Sequence, residues 1–390
     1  MRIFKLLVHK FGKWYIQEIC GREWGLKPQK VDLRVDKVLN QYVKDTYSAR
    51  ATDRTSVYVE DIAELPASYI VKARLVNVYQ EKSVYIKLMG LEDISTHRKL
   101  ISNEYNILNR LYNRTKNNPE FTVIKPLAVN YELLALITEE SKGERFDKLF
   151  KNRARFLSNK SYKELEKYCG LCGKWLSFMQ KETKLNKHNV SVYSNLRKGI
   201  IDNLRKIQEI SPPSFYYKLF STITEYLKRE EKSHNNGNQV VSWYHGDFRL
   251  GNILIDGNRI VILDFTDSGI GSIYMDLATF HLNLEMLKYS FYILDRNKIR
   301  ELQMNFVDSF NTSNDATFDI GLFKLSYLNV LLKSILESLI EEKEDFARKS
   351  HLEILERQLK MFSPLQLARI KDVEEIVDKK LKEIKKQKKK

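Results

Sequence analysis

The chain has 390 residues, enough for two or three domain-sized units, and its 43% hydrophobic and 11% aromatic content is that of an ordinary globular protein. Three cysteines, Cys20, Cys169 and Cys172, are too few and odd in number for a secreted disulfide framework, and no apolar run reaches bilayer-spanning length. The net charge of +16 invites a nucleic-acid role, but +7 of it sits in the eight lysines and one glutamate of Lys379–Lys390, and no RNA-recognition, zinc-finger or helix-turn-helix pattern accompanies it.

The N-terminal MRIFKLLVHKFGKW lacks the apolar core and cleavage site of a secretory leader, so the chain is expected to be cytoplasmic. Residues 1–65 carry no chemical motif. A hairpin around Phe11-Gly12-Lys13 and a helix over Val31–Tyr47 are expected, either as an extension or as the first part of a β-rich lobe. From Ser68, SYIVKARLVNV and SVYIKLM alternate as strands, joined by a turn at Tyr79-Gln80-Glu81-Lys82. In the second strand Val84, Ile86 and Leu88 share one face and Tyr85, Lys87 and Met89 the other, which makes Lys87 a cation on an otherwise apolar face. The following helical run places Leu100, Glu104, Leu108 and Leu111 on one stripe. A carboxylate facing a core needs a partner, because an unpaired buried charge is expensive, and Lys87 is the natural match for Glu104.

Two short strand-like runs within FTVIKPLAVNYELLALITEE lead to the polar segment Thr138–Gly143. Helices are expected over Ser161–Glu182, Val192–Glu209 and Tyr216–Lys232, with a break at Ser211-Pro212-Pro213-Ser214. Cys169 and Cys172 fall on a helical stripe with Leu165, Leu176 and Met179, and no second pair exists to complete a zinc site, so they read as core. After the loop His234–Asn238 comes the most informative stretch, VVSWYHGDFRLGNILIDGNRIVILDFTD, with strands at Val240–Tyr244, Ile253–Ile255 and Ile260–Leu263. Asp256-Gly257 between two apolar runs signals a hairpin, which sets Ile255 near Ile260 and Asn252 near Asp264. Asp247, Asn252 and Asp264 then converge at one open end. Mg²⁺ takes oxygen ligands, usually one or two from protein, with phosphates and water completing the octahedron. Asn252 and Asp264 suit that share, leaving Asp247 to orient an attacking hydroxyl and accept its proton. The spacing Asp-x-x-x-x-Asn, then an apolar strand ending in Asp-Phe, matches the protein-kinase order of base, second metal ligand and first metal ligand. Beyond Phe280 the chain reads as helical, interrupted around Asn311–Asp315 and Ser363-Pro364.

HGDFRLGN, LDFTDSG and YMDLATF together resemble the aminoglycoside phosphotransferase/choline kinase group of small-molecule kinases, closely over residues 240–285 and more loosely over 70–180. The resemblance implies a two-lobed α+β fold of the protein-kinase kind, with a small β-rich N-lobe and a large, mainly helical C-lobe. On that basis 66–142 would be the nucleotide-binding lobe, 143–378 the catalytic helical lobe and 379–390 a basic tail. It implies Mg²⁺ and ATP as cofactors, with GTP left open. Asp247 becomes the base, Asn252 and Asp264 the metal ligands, and Arg249 the cation near the γ-phosphate. Lys87 and Glu104 become the pair that steadies the α- and β-phosphates. Thr138–Gly143, with Glu139, would be the hinge that hydrogen-bonds the base. His245 would brace the loop, Asp267 would satisfy turn amides or approach the metal, and Asp276 would be an N-cap or loop brace.

The sequence departs from kinases in having no glycine-rich loop before Lys87; Gly21 and Gly25 are too far upstream. That leaves the phosphate lid unassigned and keeps open a pseudokinase that binds nucleotide or a partner without turnover. A protein-directed kinase is disfavoured by HGD in place of HRD, LDFTD in place of DFG, and the lack of an Ala-Pro-Glu segment. The acceptor expected is a small-molecule hydroxyl, on a sugar, an amino alcohol or a glycan- or lipid-linked group, and no specific nucleic acid is expected as partner. Apolar residues Val373, Ile376, Val377, Leu381 and Ile384 beside the lysines suggest a weak membrane-surface contact as a further role of the tail.

Overall fold

The computed structural model describes residues 34–47, 55–65, 68–77, 79–154, 159–185, 191–210, 240–290, 296–313 and 318–340, with a few further positions between 220 and 228. Outside the described residues lie the expected hairpin around Phe11–Lys13, Cys20, Gly21, Gly25, the break at Ser211–Ser214, most of Tyr216–Lys232, the loop His234–Asn238 and the lysine tail. The fold is α+β, with strands concentrated in the N-terminal part and helices in the C-terminal part. It divides into two compact units: residues 1–188 with 240–318, and residues 189–239 with 319–390.

The described part of the first unit begins with helix α1 (Arg34–Thr46) and strand β1 (Ser56–Leu65). In α1 the apolar residues Val35, Val38, Leu39, Tyr42 and Val43 recur at helical spacing, with Asp36 in the first turn and Lys44 in the last, each favourable to the helix dipole. That stripe packs on Val71, Ala73, Leu75, Val84, Ile86, Leu88, Ala135 and Ile137, the inner face of an antiparallel sheet. The sheet has the order β1-β2-β3-β6-β5, where β2 is Ser68–Val76, β3 Glu81–Met89, β5 Pro126–Asn130 and β6 Ala135–Glu139. The β2–β3 turn starts earlier than the sequence suggests. Asn77 Oδ1 accepts the N–H groups of Tyr79 and Gln80, and Glu81 already pairs with Val76, so Glu81 and Lys82 belong to β3.

Helix α2 (Ile94–Thr115) follows, its first turn capped by Asp93, whose carboxylate accepts the N–H of Thr96. Its buried stripe is Ile101, Glu104, Ile107, Leu108, Leu111 and Thr115; Leu100 is only half-buried. The stretch 121–139 holds three strands rather than two, because β4 (Phe121–Val123) leaves the first sheet. It pairs in parallel with β10 (Arg259–Ile262) in a second sheet of order β4-β10-β9-β7, with β7 Glu144–Arg145 and β9 Ile253–Asp256. The β9–β10 hairpin pairs Ile255 with Ile260 and turns through Gly257 at φ +62°, the positive φ that the Asp-Gly signal anticipates. Lys167 and Tyr168 of helix α4 (Asn159–Thr183) tie that turn down through Asn258 Oδ1 and Gly257 O, both at 2.8 Å. Cys169 and Cys172 are free thiols buried in α4. Helix α3 (Phe146–Ala154), a short pair of β8 (Ser242–Tyr244) with β11 (Gly269–Gly271), and helices α6 (Tyr274–Ser290) and α7 (Arg296–Ser313) are the unit's other described elements.

In the second unit α5 (Val192–Ile210) packs along α8 (Ile320–Ile340), where Asn203 Nδ2 donates to Asn329 Oδ1 at 3.0 Å. Lys333 and Glu337 on α8 are exposed and four residues apart, as on an amphipathic helix. No described helix is long and apolar enough to cross a membrane.

Leu39, 1% exposed, sits at the centre of the α1 contact. Leu39→Ala should lower the unfolding free energy by about 2–5 kcal/mol, read from the denaturant midpoint. A loss below ~0.5 kcal/mol would mean that α1 does not pack on the sheet in solution.

Candidate active site

Lys87 points from β3 away from the α1 side, because Val84, Ile86 and Leu88 take that face. Its ammonium meets four oxygens: Glu104 Oε1 and Oε2 at 3.3 and 3.2 Å, Asp264 Oδ1 at 2.6 Å, and the hydroxyl of Thr266. Glu104, 2% exposed on the buried stripe of α2, also accepts the backbone N–H of Phe265 at 3.2 Å. Burial alone would drain charge from Lys87, but the carboxylates of Asp264 and Glu104 outweigh it and hold the ammonium above its ordinary value. Burial raises Glu104, with Lys87 opposing and Asp264 adding to the rise. Burial acts the same way on Asp264, but Lys87 and Thr266 overcome it and hold this carboxyl well below the usual range. One cation among two carboxylates leaves a net negative charge.

The chain reaches Asp264 because β10 runs parallel to β4, the strand that follows α2. Ile124 N–H bonds Ile262 O at 2.9 Å, so the end of β10 is carried towards Glu104. At the β10 exit Leu263 N–H bonds Asn252 O at 2.9 Å and Asp264 takes φ +60°, a left-handed turn that re-aims its side chain. Asn252 closes a single 3₁₀ turn, Leu250–Asn252. Its amide nitrogen donates to Asp247 O at 2.9 Å and to Asp247 Oδ2 at 2.8 Å, and the Arg249 guanidinium meets the same Oδ2 at 2.9 Å.

Asp247, Asn252 and Arg249 thus form one hydrogen-bonded group. Among the described residues no protein donor reaches Asp247 Oδ1, Asn252 Oδ1 or Asp264 Oδ2. Asn252 and Asp264 therefore fit a magnesium ion: two oxygen donors of the hard kind it prefers, too few to complete its octahedron without phosphates and water. No cluster of three or more His, Cys, Asp or Glu that could hold a metal by itself occurs among the described residues.

The loop is held from beneath. His245 is fully buried, its Nε2 2.8 Å from Leu263 O and its Nδ1 3.2 Å from the N–H of Asp247. Nδ1 accepts the Asp247 N–H, and Nε2 is placed to donate to the Leu263 carbonyl. Asp276, also fully buried, accepts the N–H of His245 at 2.6 Å and of Gly246 at 2.9 Å. It lies inside the first turn of α6, so it acts as a brace and not as an N-cap. Gly246 has φ +89°, and a Cβ there would lie 2.1 Å from Asp267 O, so only glycine lets the two loops meet. Asp267 thus contributes its backbone to loop packing. Glu139 is engaged within the protein: its carboxylate bridges Lys82 and Lys125, and its N–H bonds Lys125 O, while the N–H of Glu140 bonds Ser83 O. These two amides are therefore spent inside the sheet. β1 pairs with β2 as far as Leu65 opposite Ser68.

Two contributors escaped the sequence reading. Thr266 touches Lys87, Glu104 and Asp264, and Asn283 of α6 accepts the N–H of Leu250 at 3.2 Å. A hydroxyl two residues after a metal-type aspartate is a local signal for Thr266, since such side chains bond within their own turn. Asn283 has no comparable signal, because its contact depends on how α6 packs.

Burial lifts Asp276 from 3.8 to about 6, against the pull of His245 and the two backbone donors. A carboxyl raised in the folded state contributes stability that is full below about pH 4 and is lost as pH rises through about 6. Asp276→Asn turns an amide toward one of the two N–H groups and should cost about 1–3 kcal/mol at pH 4. The deficit relative to the unaltered chain should shrink towards pH 7; a deficit that widens with pH contradicts the burial argument.

Residues 201–293 match the family model described as phosphotransferase enzyme family. No curated protein matches the chain. Among solved structures, a choline/ethanolamine kinase family protein from Mesorhizobium loti shares 13% identity at a TM-score of 0.52, over 86% of this chain and 97% of its own. A glucosamine kinase shares 12% identity at a TM-score of 0.51, over 78% of this chain and 81% of its own. At these identities the likeness is one of fold. The chain carries the phosphotransferase-family signature over residues 201–293, set in a protein-kinase-like fold.

Proposed function

We propose that the protein is a small-molecule phosphotransferase, moving the γ-phosphoryl group of a magnesium nucleotide, ATP or GTP, to an alcohol. The observation that carries this reading is the open Oδ1 of Asp247. Its companion Oδ2 is held by Asn252 and Arg249, so the carboxylate is oriented with one oxygen turned to incoming substrate. Lys87, held charged and aimed by Glu104, would take the α- and β-phosphates, and Arg249 lies close enough to Asp247 to meet the transferring group. Asn252 Oδ1 and Asp264 Oδ2 would hold Mg²⁺, which when bound neutralises phosphate charge. The acceptor oxygen attacks the γ-phosphorus, its proton passes to Asp247 Oδ1, and the bond to the β,γ-bridging oxygen breaks to release the nucleoside diphosphate. The transition state is loose, so alignment and charge neutralisation carry the rate. The amides of Glu139 and Glu140 being spent, the base would be read by Ser141 and Lys142, the next backbone in line. The positive charge of the chain favours a neutral or anionic acceptor, such as a sugar or a glycan- or lipid-linked group, over a polycation.

Nucleotide consumption across a panel of sugars, amino alcohols and glycan- or lipid-linked alcohols tests the activity. Asp247→Ala should reduce transfer by ~10³-fold or more while nucleotide still binds, and Asp264→Ala should weaken Mg-dependent nucleotide binding. Equal and mild losses from both would contradict the assigned roles. Nucleotide that binds with every acceptor left untouched would favour the non-catalytic alternative.

A further inference from the structure

We infer that Thr266 is a positioning residue, whose hydroxyl sets how Lys87 is shared between Glu104 and Asp264 and so presents both the phosphate-binding cation and the metal-binding carboxylate. The inference rests on the phosphotransferase reading above and adds to it a residue that neither the motif nor the family match singles out.

Thr266 Oγ1 touches three ionised groups at once: the Lys87 ammonium, Asp264 Oδ1 at 2.7 Å and Glu104 Oε2 at 3.1 Å. A hydroxyl has one proton to give and two lone pairs to receive with. It accepts from Lys87, which has no other role to offer it, and donates to one carboxylate at a time. The shorter distance puts that proton on Asp264. Without it Asp264 Oδ1 keeps Lys87 and only a long contact from the Thr266 backbone N–H at 3.5 Å, and the two carboxylates face each other across one ammonium. Asp264 then draws Lys87 further from Glu104, and its Oδ2, the oxygen open to a metal, loses its fixed direction.

The neighbouring backbone reinforces this. Phe265 N–H bonds Glu104 and Phe265 is fully buried with its ring 4.4 Å from that of His245, so Thr266 is delivered to the cluster by a clamped residue. The turn at Asp264, with φ +60°, brings residues 264 and 266 to the same side. Protein kinases have glycine at this place in their Asp-Phe-Gly segment. Here a side chain fills it, and among the described residues the other oxygens on Lys87 are all carboxylate.

Thr266→Val keeps the shape and removes the hydroxyl; Thr266→Ser keeps the hydroxyl and removes a methyl. Calorimetric titration of each full-length protein with Mg²⁺ and ADP, and with ADP in EDTA, reads the effect without any acceptor. The valine variant should bind Mg·ADP roughly 10- to 100-fold more weakly, with ADP in EDTA changed much less, and the serine variant should return to within about threefold of the unaltered chain. Valine binding Mg·ADP as the unaltered protein does overturns the inference while leaving the phosphotransferase reading intact. A serine variant as impaired as valine also overturns it, since the methyl and not the hydroxyl would then matter. An unaltered protein that binds no Mg·ADP sinks the phosphotransferase reading and this inference with it. Circular dichroism melts accompany each variant. Should valine not fold, Thr266→Ala against Thr266→Ser makes the same comparison.

Discussion

The ion cluster of Lys87 with Glu104 and Asp264 is the constraint on which the rest of the site depends. An ammonium and two carboxylates are drawn from three separate elements, β3, α2 and the exit of β10; Lys87 and Glu104 would each be costly to bury alone, while Asp264 stays partly exposed. Together they are tolerable, and their residual negative charge suits a divalent cation. The pairing also ties the first sheet to the exit of the β9–β10 hairpin, because Glu104 bonds Lys87 on one side and the N–H of Phe265 on the other. A loss at any corner would be felt by the other two.

Around that cluster the protein uses backbone geometry more than additional charge. The loop from His245 to Asn252 has the carboxyl of Asp276 beneath its amides, the ring of His245 between two segments, and glycine where Asp267 leaves no space for a Cβ. Asp276 and His245 are buried polar groups bonded to loop backbone, which offsets the cost of burying them. The side chains that would meet substrate, Asp247, Asn252 and Asp264, each keep one oxygen out of this network. Rigidity beneath and open acceptors above follow from the same few bonds.

Much of this was legible in the sequence because it is local or costly to violate. The Asp-Gly hairpin fixes the register of β9 on β10, and the lone cation and lone carboxylate on apolar faces identify each other. What stayed hidden depends on the path of the chain through space. The sequence from 121 to 139 does not reveal that β4 deserts its neighbours to pair in parallel with β10, since a three-residue apolar strand looks the same in either sheet. The stripe of α2 was placed one residue out at its start, with Ile101 buried where Leu100 was expected, a shift within the freedom of helix phase. The hinge reading gave Glu139 to the nucleotide, whereas its amide closes the β5–β6 edge, a pairing visible only once Lys125 is seen opposite it. Helix α1 was anticipated as a helix but without a destination, because nothing in Val31–Tyr47 says which sheet its apolar stripe will cover.

The central claim is that Lys87, Asn252 and Asp264 jointly receive a metal-bound nucleotide while Asp247 faces the space beyond its terminal phosphate. A crystal structure with Mg²⁺ and a non-hydrolysable ATP analogue tests it most directly. The account predicts carboxylate and amide oxygens of Asp264 and Asn252 at about 2.0–2.1 Å from the metal, Lys87 on the phosphates and the open oxygen of Asp247 towards the γ-phosphate. A nucleotide seated elsewhere, or a metal held without either side chain, would contradict it.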